Sequence, residues 1–269
     1  MSALRPCLIL AACSYLTAAL CYHGRWPVRA QRAKTWATIL AGIGIAANLG
    51  ALVAATADVG DWPLLTLRQT LVLFAVAVPA AYLIVLRREP IGLGVFTCAV
   101  AVAAVGGSLM VPDAAPVKQF DSRALLLVHI VVAVVAYAAF GLAACCGAAY
   151  LCKEALLKRK RLTGFGTRLP SLETAEILGY RLAGFGFVLW TLMLAVSIWY
   201  TARVTGDFWG WTPKQTWSLV TWAVYAAYLH ARMVSHYRGR ATVGFLVAGF
   251  VCACTTYVIA NYLGDPHHL

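Results

Sequence analysis

The sequence predicts an all-α fold, a polytopic integral membrane bundle of about eight transmembrane helices, and three observations carry that prediction. The composition is 62% hydrophobic and 12% charged, whereas a soluble domain carries about 25% charged residues. Eight apolar runs recur along the 269 residues, most of them near the ~20 residues needed to cross hydrocarbon. Basic residues alternate from one loop to the next, as positive-inside topology requires.

The runs follow in order. Leu8–Tyr22 is read as a retained span, because no small-residue cleavage site precedes the basic Arg25–Lys34 stretch. Thr35–Ala57 is the second, and Leu67–Leu86 the third, with Pro79 expected to kink it. Ile91–Val111 and Ala124–Cys152 are the fourth and fifth. Lys153–Leu169, the longest hydrophilic segment, then separates a five-span part from a three-span part, and its Lys158-Arg-Lys-Arg161 run reads as a cytoplasmic anchor. Leu178–Ala202, Thr216–Met233 and Ala241–Leu263 complete the set. Little chain remains for a separate soluble domain, and no internal repeat or low-complexity tract is evident.

A net charge of +12 invites a nucleic-acid reading, but its distribution excludes one. With the N-terminus outside, fifteen of the 22 basic residues fall in inner loops, from Arg25 and Arg29 through Arg87, Arg88 and Lys158–Arg161 to Arg238 and Arg240. Six of the ten acids, among them Asp58, Asp113 and Asp207, fall outside. Both termini and the Arg203–Gln215 connection are therefore expected outside. The basic excess faces the lipid bilayer, with anionic lipid as its partner. The nine cysteines all lie in or at the ends of spans with no Cys-x-x-Cys spacing, and read as small apolar packing residues.

Chemistry concentrates around Gly206-Asp-Phe-Trp-Gly-Trp-Thr-Pro-Lys-Gln-Thr-Trp217. Thr212, Pro213 and Gln215 form a capping box that starts the seventh helix. Trp217 lies on that helix, and interfacial belts enrich tryptophan in any membrane protein. Trp209 and Trp211 precede the cap, lie outside helical periodicity and are candidates for a ligand platform. His129 sits about six residues into the fifth span, roughly 9 Å below the outer edge at ~1.5 Å per residue. It is either a neutral imidazole bonded to a neighbouring helix or a functional group, the default for an ionisable residue at such depth. His267 and His268 follow the last span, either as solvated tail or as partners to His129. His230 and His23 end spans on the inner side, and His236 lies in a basic inner loop. A haem iron takes one axial ligand on each face, and the outer histidines meet that need beside the tryptophans.

Trp209-Gly-Trp-Thr-Pro-Lys-Gln-Thr-Trp217, running on to Tyr228-Leu-His-Ala-Arg232, resembles the tryptophan-rich signature and following span of the CcsA/ResC family of haem-handling cytochrome c assembly proteins. The likeness extends through 173–203, Leu127-Val-His-Ile130 with Tyr137-Ala-Ala139, and Asn261-Tyr-Leu-Gly264, with a weaker echo at Gly60-Asp-Trp-Pro-Leu64. It covers residues 58–269, a region of six spans with the tryptophan loop at 203–217, and leaves the two spans of residues 1–57 outside.

The resemblance implies a protein of the bacterial plasma membrane that moves haem b to the outer face and presents it for covalent attachment to apocytochrome c. It also implies a place in a haem-attachment (synthase) complex, without deciding whether this chain is itself an enzyme. By motif position it assigns the axial ligands to His129 and His268, with His267 adjacent, and haem in transit to His230. The porphyrin cradle falls to Trp209, Trp211 and Trp217. A CcsB-like membrane subunit, apocytochrome c and thiol-reducing proteins are the implied partners, with His23 a conceivable substitute for the subunit's inner ligand. Arg203 and Lys214 are candidates to pair with propionates.

The usual Trp-Gly-x-x-Trp-x-Trp-Asp-Pro-Lys-Glu reads here Thr205-Gly-Asp-Phe-Trp-Gly-Trp-Thr-Pro-Lys-Gln, so Thr212 and Gln215 replace two acids and Thr205 a tryptophan. That departure keeps open a non-catalytic haem-binding or regulatory protein of the HemX or YpjD kind. A small-molecule transporter gated by the tryptophan loop is disfavoured by the scarcity of charge at mid-membrane.

Overall fold

The computed structural model describes residues 4–24, 30–59, 66–86, 90–111, 123–206, 208–234 and 237–262. Among them the regular elements are helical: α1 (Leu4–His23), α2 (Ala30–Val59), α3 (Leu67–Ala81), α4 (Leu93–Met110), α5 (Arg123–Lys158), the short α6 (Phe165–Arg168), α7 (Leu172–Thr205), α8 (Pro213–Met233) and α9 (Arg240–Tyr262). Six of these (α1–α5 and α7) are long and apolar enough to cross a membrane among the described residues. α8 and α9 are helices at the positions of the seventh and eighth expected runs, but among the described residues neither is both long and apolar enough to count as a span. Polar residues such as Lys214, Gln215 and Arg232 dilute α8, and the apolar stretch described for α9 is Arg240–Thr256.

Several helices outrun the apolar runs that announce them. α5 continues past Cys152 to Lys158 and α7 begins at Leu172 rather than Leu178. The backbone ladder needs no apolar side chain, and the 36 residues of α5 are longer than a ~30 Å hydrocarbon core demands. Its polar last turn is supported by a Glu154–Lys158 pair at 2.7 Å with i,i+4 spacing.

α3 starts on a capping box of its own: Thr66 Oγ1 accepts from Gln69 N at 3.3 Å and Gln69 Oε1 from Thr66 N at 3.2 Å. Three residues after Pro79 the helix loosens into a π-helical turn, Tyr82–Leu86. Proline lacks an N–H and crowds the turn before it, and Pro79 itself stays inside α3, so the widened turn beyond it is a separate feature of the helix end.

The chain falls into two compact units, residues 1–121 with 148–175, and residues 122–147 with 176–269. In the first, α1 packs on α2 and α4, and α3 on α2 and α4, closing a four-helix ring. Glycines let the helices approach: a Cβ on Gly44 would stand 2.6 Å from the Tyr15 ring, and one on Gly94 2.6 Å from Tyr22. Tyr15 then reaches across the ring, donating to Ala75 O at 3.0 Å and accepting from Asn48 Nδ2 at 3.3 Å. The buried hydroxyl thus finds both a donor and an acceptor where lipid offers neither, while Asn48 Oδ1 stays buried without a partner among the described residues.

In the second unit the early part of α5 packs with α7, α8 and α9 around Phe140, Trp190, Tyr225 and Leu246. Phe140 stacks on Tyr225 with centroids 3.7 Å apart, and the buried Trp190 indole donates to Ser218 O at 3.2 Å. Glu176 closes one end, accepting from Gly239 N at 2.6 Å and pairing with Arg232 at 3.4 Å. All nine cysteines are free thiols on helices, four of them buried, in keeping with packing roles.

Candidate functional site

The site is assembled at the start of α8. α7 ends at Thr205 and Gly206 reverses the chain with φ +81°, its N–H returning to Ala202 O at 3.1 Å. The α8 capping box then forms as the Thr-x-x-Gln pattern predicts, with Thr212 Oγ1 accepting from Gln215 N at 3.3 Å. Gln215 Oε1 does more than a cap requires. It accepts from Thr212 N at 3.2 Å and also from Gly210 N at 3.1 Å, tying down the segment that carries both tryptophans.

That clamp holds Trp211 at φ +50°, a left-handed conformation rare for a bulky residue. Trp209 and Trp211 meet edge to face with centroids 6.0 Å apart. Trp211 is 70% exposed and Phe208 75%, so large aromatic surface is displayed by a strained backbone rather than hidden. Strain that persists because neighbouring bonds over-determine it is common where a ligand is clamped. Trp209 is half-buried, and its indole Nε1 is buried without an acceptor among the described residues. Trp217 is half-buried on α8 and anchors α9, its carbonyl accepting from Thr221 and Thr256 hydroxyls at 3.0 Å each.

α5 brings His129, half-buried near the start of its described side chains, within electrostatic range of Lys214 in the first turn of α8. Arg203, paired with Lys214 in the sequence reading, is differently engaged: its guanidinium lies 5.2 Å from the Trp199 ring centroid. His230 is exposed on α8, roughly 24 Å along the helix from Lys214 at ~1.5 Å per residue, so the two serve different depths. His23 belongs to the first unit, where it stacks on Phe165 at 4.5 Å. His267 and His268 lie outside the described residues, as does His236. Among the described residues no cluster of three or more His, Cys, Asp or Glu could hold a bare metal ion.

The sequence marked Gln215 as a cap and did not show its bond to Gly210. The glutamine's three-residue spacing from Thr212 signals the cap, but its reach back to Gly210 depends on how the loop folds. The described residues of this region thus comprise one imidazole, one half-buried and one exposed indole, and one ammonium.

The model of a family described as "Cytochrome C assembly protein" matches residues 64–268, about three quarters of the chain. The chain belongs to that family. With its apolar helices, membership makes it a multi-pass membrane protein. Similar curated proteins are named "Cytochrome c biogenesis protein CcsA". That of Gloeobacter violaceus is 41% identical over 96 residues, covering 36% of this chain and 28% of the relative. That of Guillardia theta is 39% identical over 102 residues, covering 38% and 34%, and that of Crocosphaera subtropica is 34% identical over 122 residues, covering 45% and 36%. The matches thus span about a third of the length of these relatives. Among solved structures, a chain named "Cytochrome c Heme Lyase CcmF" aligns with a TM-score of 0.65 at 16% identity, over 97% of this chain and 49% of that one. At that identity the likeness shows the fold alone.

Proposed function

We propose that this protein handles haem in cytochrome c biogenesis, moving it across the membrane and presenting it at the tryptophan loop for covalent attachment to apocytochrome c. The observation that carries the reading is the clamped Trp209–Trp211 pair at the start of α8, with His129 within electrostatic range of Lys214 three residues on. Family membership supports it.

The roles divide by chemistry. His129 supplies one axial nitrogen to the iron of haem b, and His268 or His267 the other. Trp209, Trp211 and Trp217 offer apolar ring surface to the porphyrin. Lys214 sits where a propionate would meet an ammonium at a partly desolvated site, whereas Arg203 is held by Trp199. His230, exposed far along α8, is the ligand for haem in transit. A CcsB-like subunit, apocytochrome c and thiol-reducing proteins are the partners, in a bacterial plasma membrane with loop and termini outside.

A second reading, haem binding without attachment, is favoured by the neutral Thr212 and Gln215. The intact capping box shows that the loop is shaped without the two acids, so their absence touches charge rather than architecture. Complementation of a cytochrome c assembly mutant separates the two.

The direct test purifies the full chain from haem-replete membranes and measures haem content and absorption spectrum. His129→Ala is expected to lose most of the haem or shift the Soret band. Unchanged content and spectrum would remove the ligand assignment.

A further inference from the structure

The end of the first unit that holds the α1 C-terminus carries a cationic cluster that the haem chemistry does not use. Arg168, the last residue of α6, lays its guanidinium on Gly24: a Cβ on that glycine would stand 2.2 Å from the guanidinium carbon and from Nη1. Gly24 also has φ +79°, so both the close approach and the turn call for glycine. A cation is well placed against the carbonyl end of a helix. Even so, Nη1 is buried with no hydrogen-bond acceptor among the described residues. The residue as a whole is half-buried.

The surroundings hold the backbone that carries this side chain: Arg168 O accepts from Gly92 N at 3.0 Å, and Leu169 O from Lys153 Nζ at 2.9 Å. On the same short helix Phe165 stacks on His23, the neighbour of Gly24, at 4.5 Å, with Phe96 6.4 Å from Phe165. The exposed turn Arg159-Lys160-Arg161 folds onto α6, the Arg161 carbonyl lying 3.9 Å from where a Cβ on Gly166 would stand. The nearby acid Glu154 is taken by Lys158 at 2.7 Å, and Glu173 is exposed in the first turn of α7.

We infer that this cluster is a headgroup site for an anionic phospholipid, with Arg168 as the ligand of the phosphate. A fixed, partly desolvated guanidinium with an unused donor suits a phosphate oxygen. Apolar surface leads up to it, which favours lipid over a soluble phosphate. Leu16 and Leu20, 51% and 43% exposed, share the helix face of Gly24 at i, i+4, i+8 spacing and offer acyl chains a track. Leu157 and Leu162 flank the cationic turn, 41% and 38% exposed. The site is independent of the haem reading.

The test titrates the purified full chain, in detergent and read by native mass spectrometry, with phosphatidylglycerol, phosphatidylcholine and inorganic phosphate. The glycerol lipid is expected to bind at least about tenfold more tightly than the choline lipid. Arg168→Gln should weaken it about tenfold, the scale of one strong charged contact. Gly24→Ala retains the charge but displaces the guanidinium, and is expected to weaken binding like Arg168→Gln even if that variant folds poorly. Arg161→Gln, a change in the diffuse surface field, should cost less than about threefold. Unaltered binding by Arg168→Gln or Gly24→Ala, or a loss no larger than that of Arg161→Gln, would overturn the site. Inorganic phosphate displacing the lipid at comparable concentration would overturn the assignment to lipid.

Discussion

Replacing Gln215 tests whether the tryptophan platform is built by the loop clamp. In Gln215→Leu the side chain keeps most of its volume and loses the oxygen that accepts from Gly210 N at 3.1 Å and Thr212 N at 3.2 Å. Each net hydrogen bond is worth about 1 kcal/mol, less when exposed as these are, so together about 1–2 kcal/mol. The left-handed Trp211 at φ +50° costs a similar ~1–2 kcal/mol. The two nearly balance, so removal of the clamp lets Trp211 leave its conformation, a shift in population of roughly 5–30-fold. Haem affinity, read by Soret titration of the full chain in nanodiscs, should weaken by that factor. Gln215→Glu keeps the acceptor oxygens and should stay within about twofold. The reasoning fails if Gln215→Leu binds haem as the parent does, or if Gln215→Glu loses as much as Gln215→Leu.

Two further changes probe the scaffold. Gly44→Ala places a methyl 2.6 Å from the Tyr15 ring and is expected to lower stability by about 1–3 kcal/mol. Gly42→Ala, with nothing within 4 Å, should be neutral or gain up to about 1 kcal/mol of helix propensity; thermal unfolding of the two side by side checks the contrast. Glu176→Ala strands Arg232, 11% exposed, and removes the acceptor of Gly239 N. About 2 kcal/mol follows, less than for a fully buried pair. A fall of roughly 4–8 °C in unfolding midpoint is expected, and an unchanged midpoint would show that the α8–α9 turn is held by something else.

Local signals were legible and long-range ones were not. Thr212-Pro-Lys-Gln215 announces its capping box because every bond of the box joins residues three apart. Thr66 and Gln69 carry the same signal and form the same box, so that helix start was readable too. Nothing local in the sequence announces the π-helical turn at Tyr82–Leu86, which lies beyond Pro79 rather than in the turn that proline crowds. Arg203 and Lys214 look equivalent as outer cations; the Trp199 ring under one and the His129 imidazole within electrostatic range of the other tell them apart.

The sequence by itself determined that the chain is helical and membrane-spanning, where α8 begins, and which tryptophans escape helical periodicity. Those properties follow from hydropathy and from bonds between residues a few positions apart. The tertiary structure decided that His129 comes within electrostatic range of Lys214, that Gln215 binds Gly210 and so fixes Trp211, and that Arg168 settles on Gly24. Each depends on which helices meet and how closely. In a bundle whose faces are nearly all apolar, that is set by glycine contacts and shape rather than by any periodic pattern along the chain.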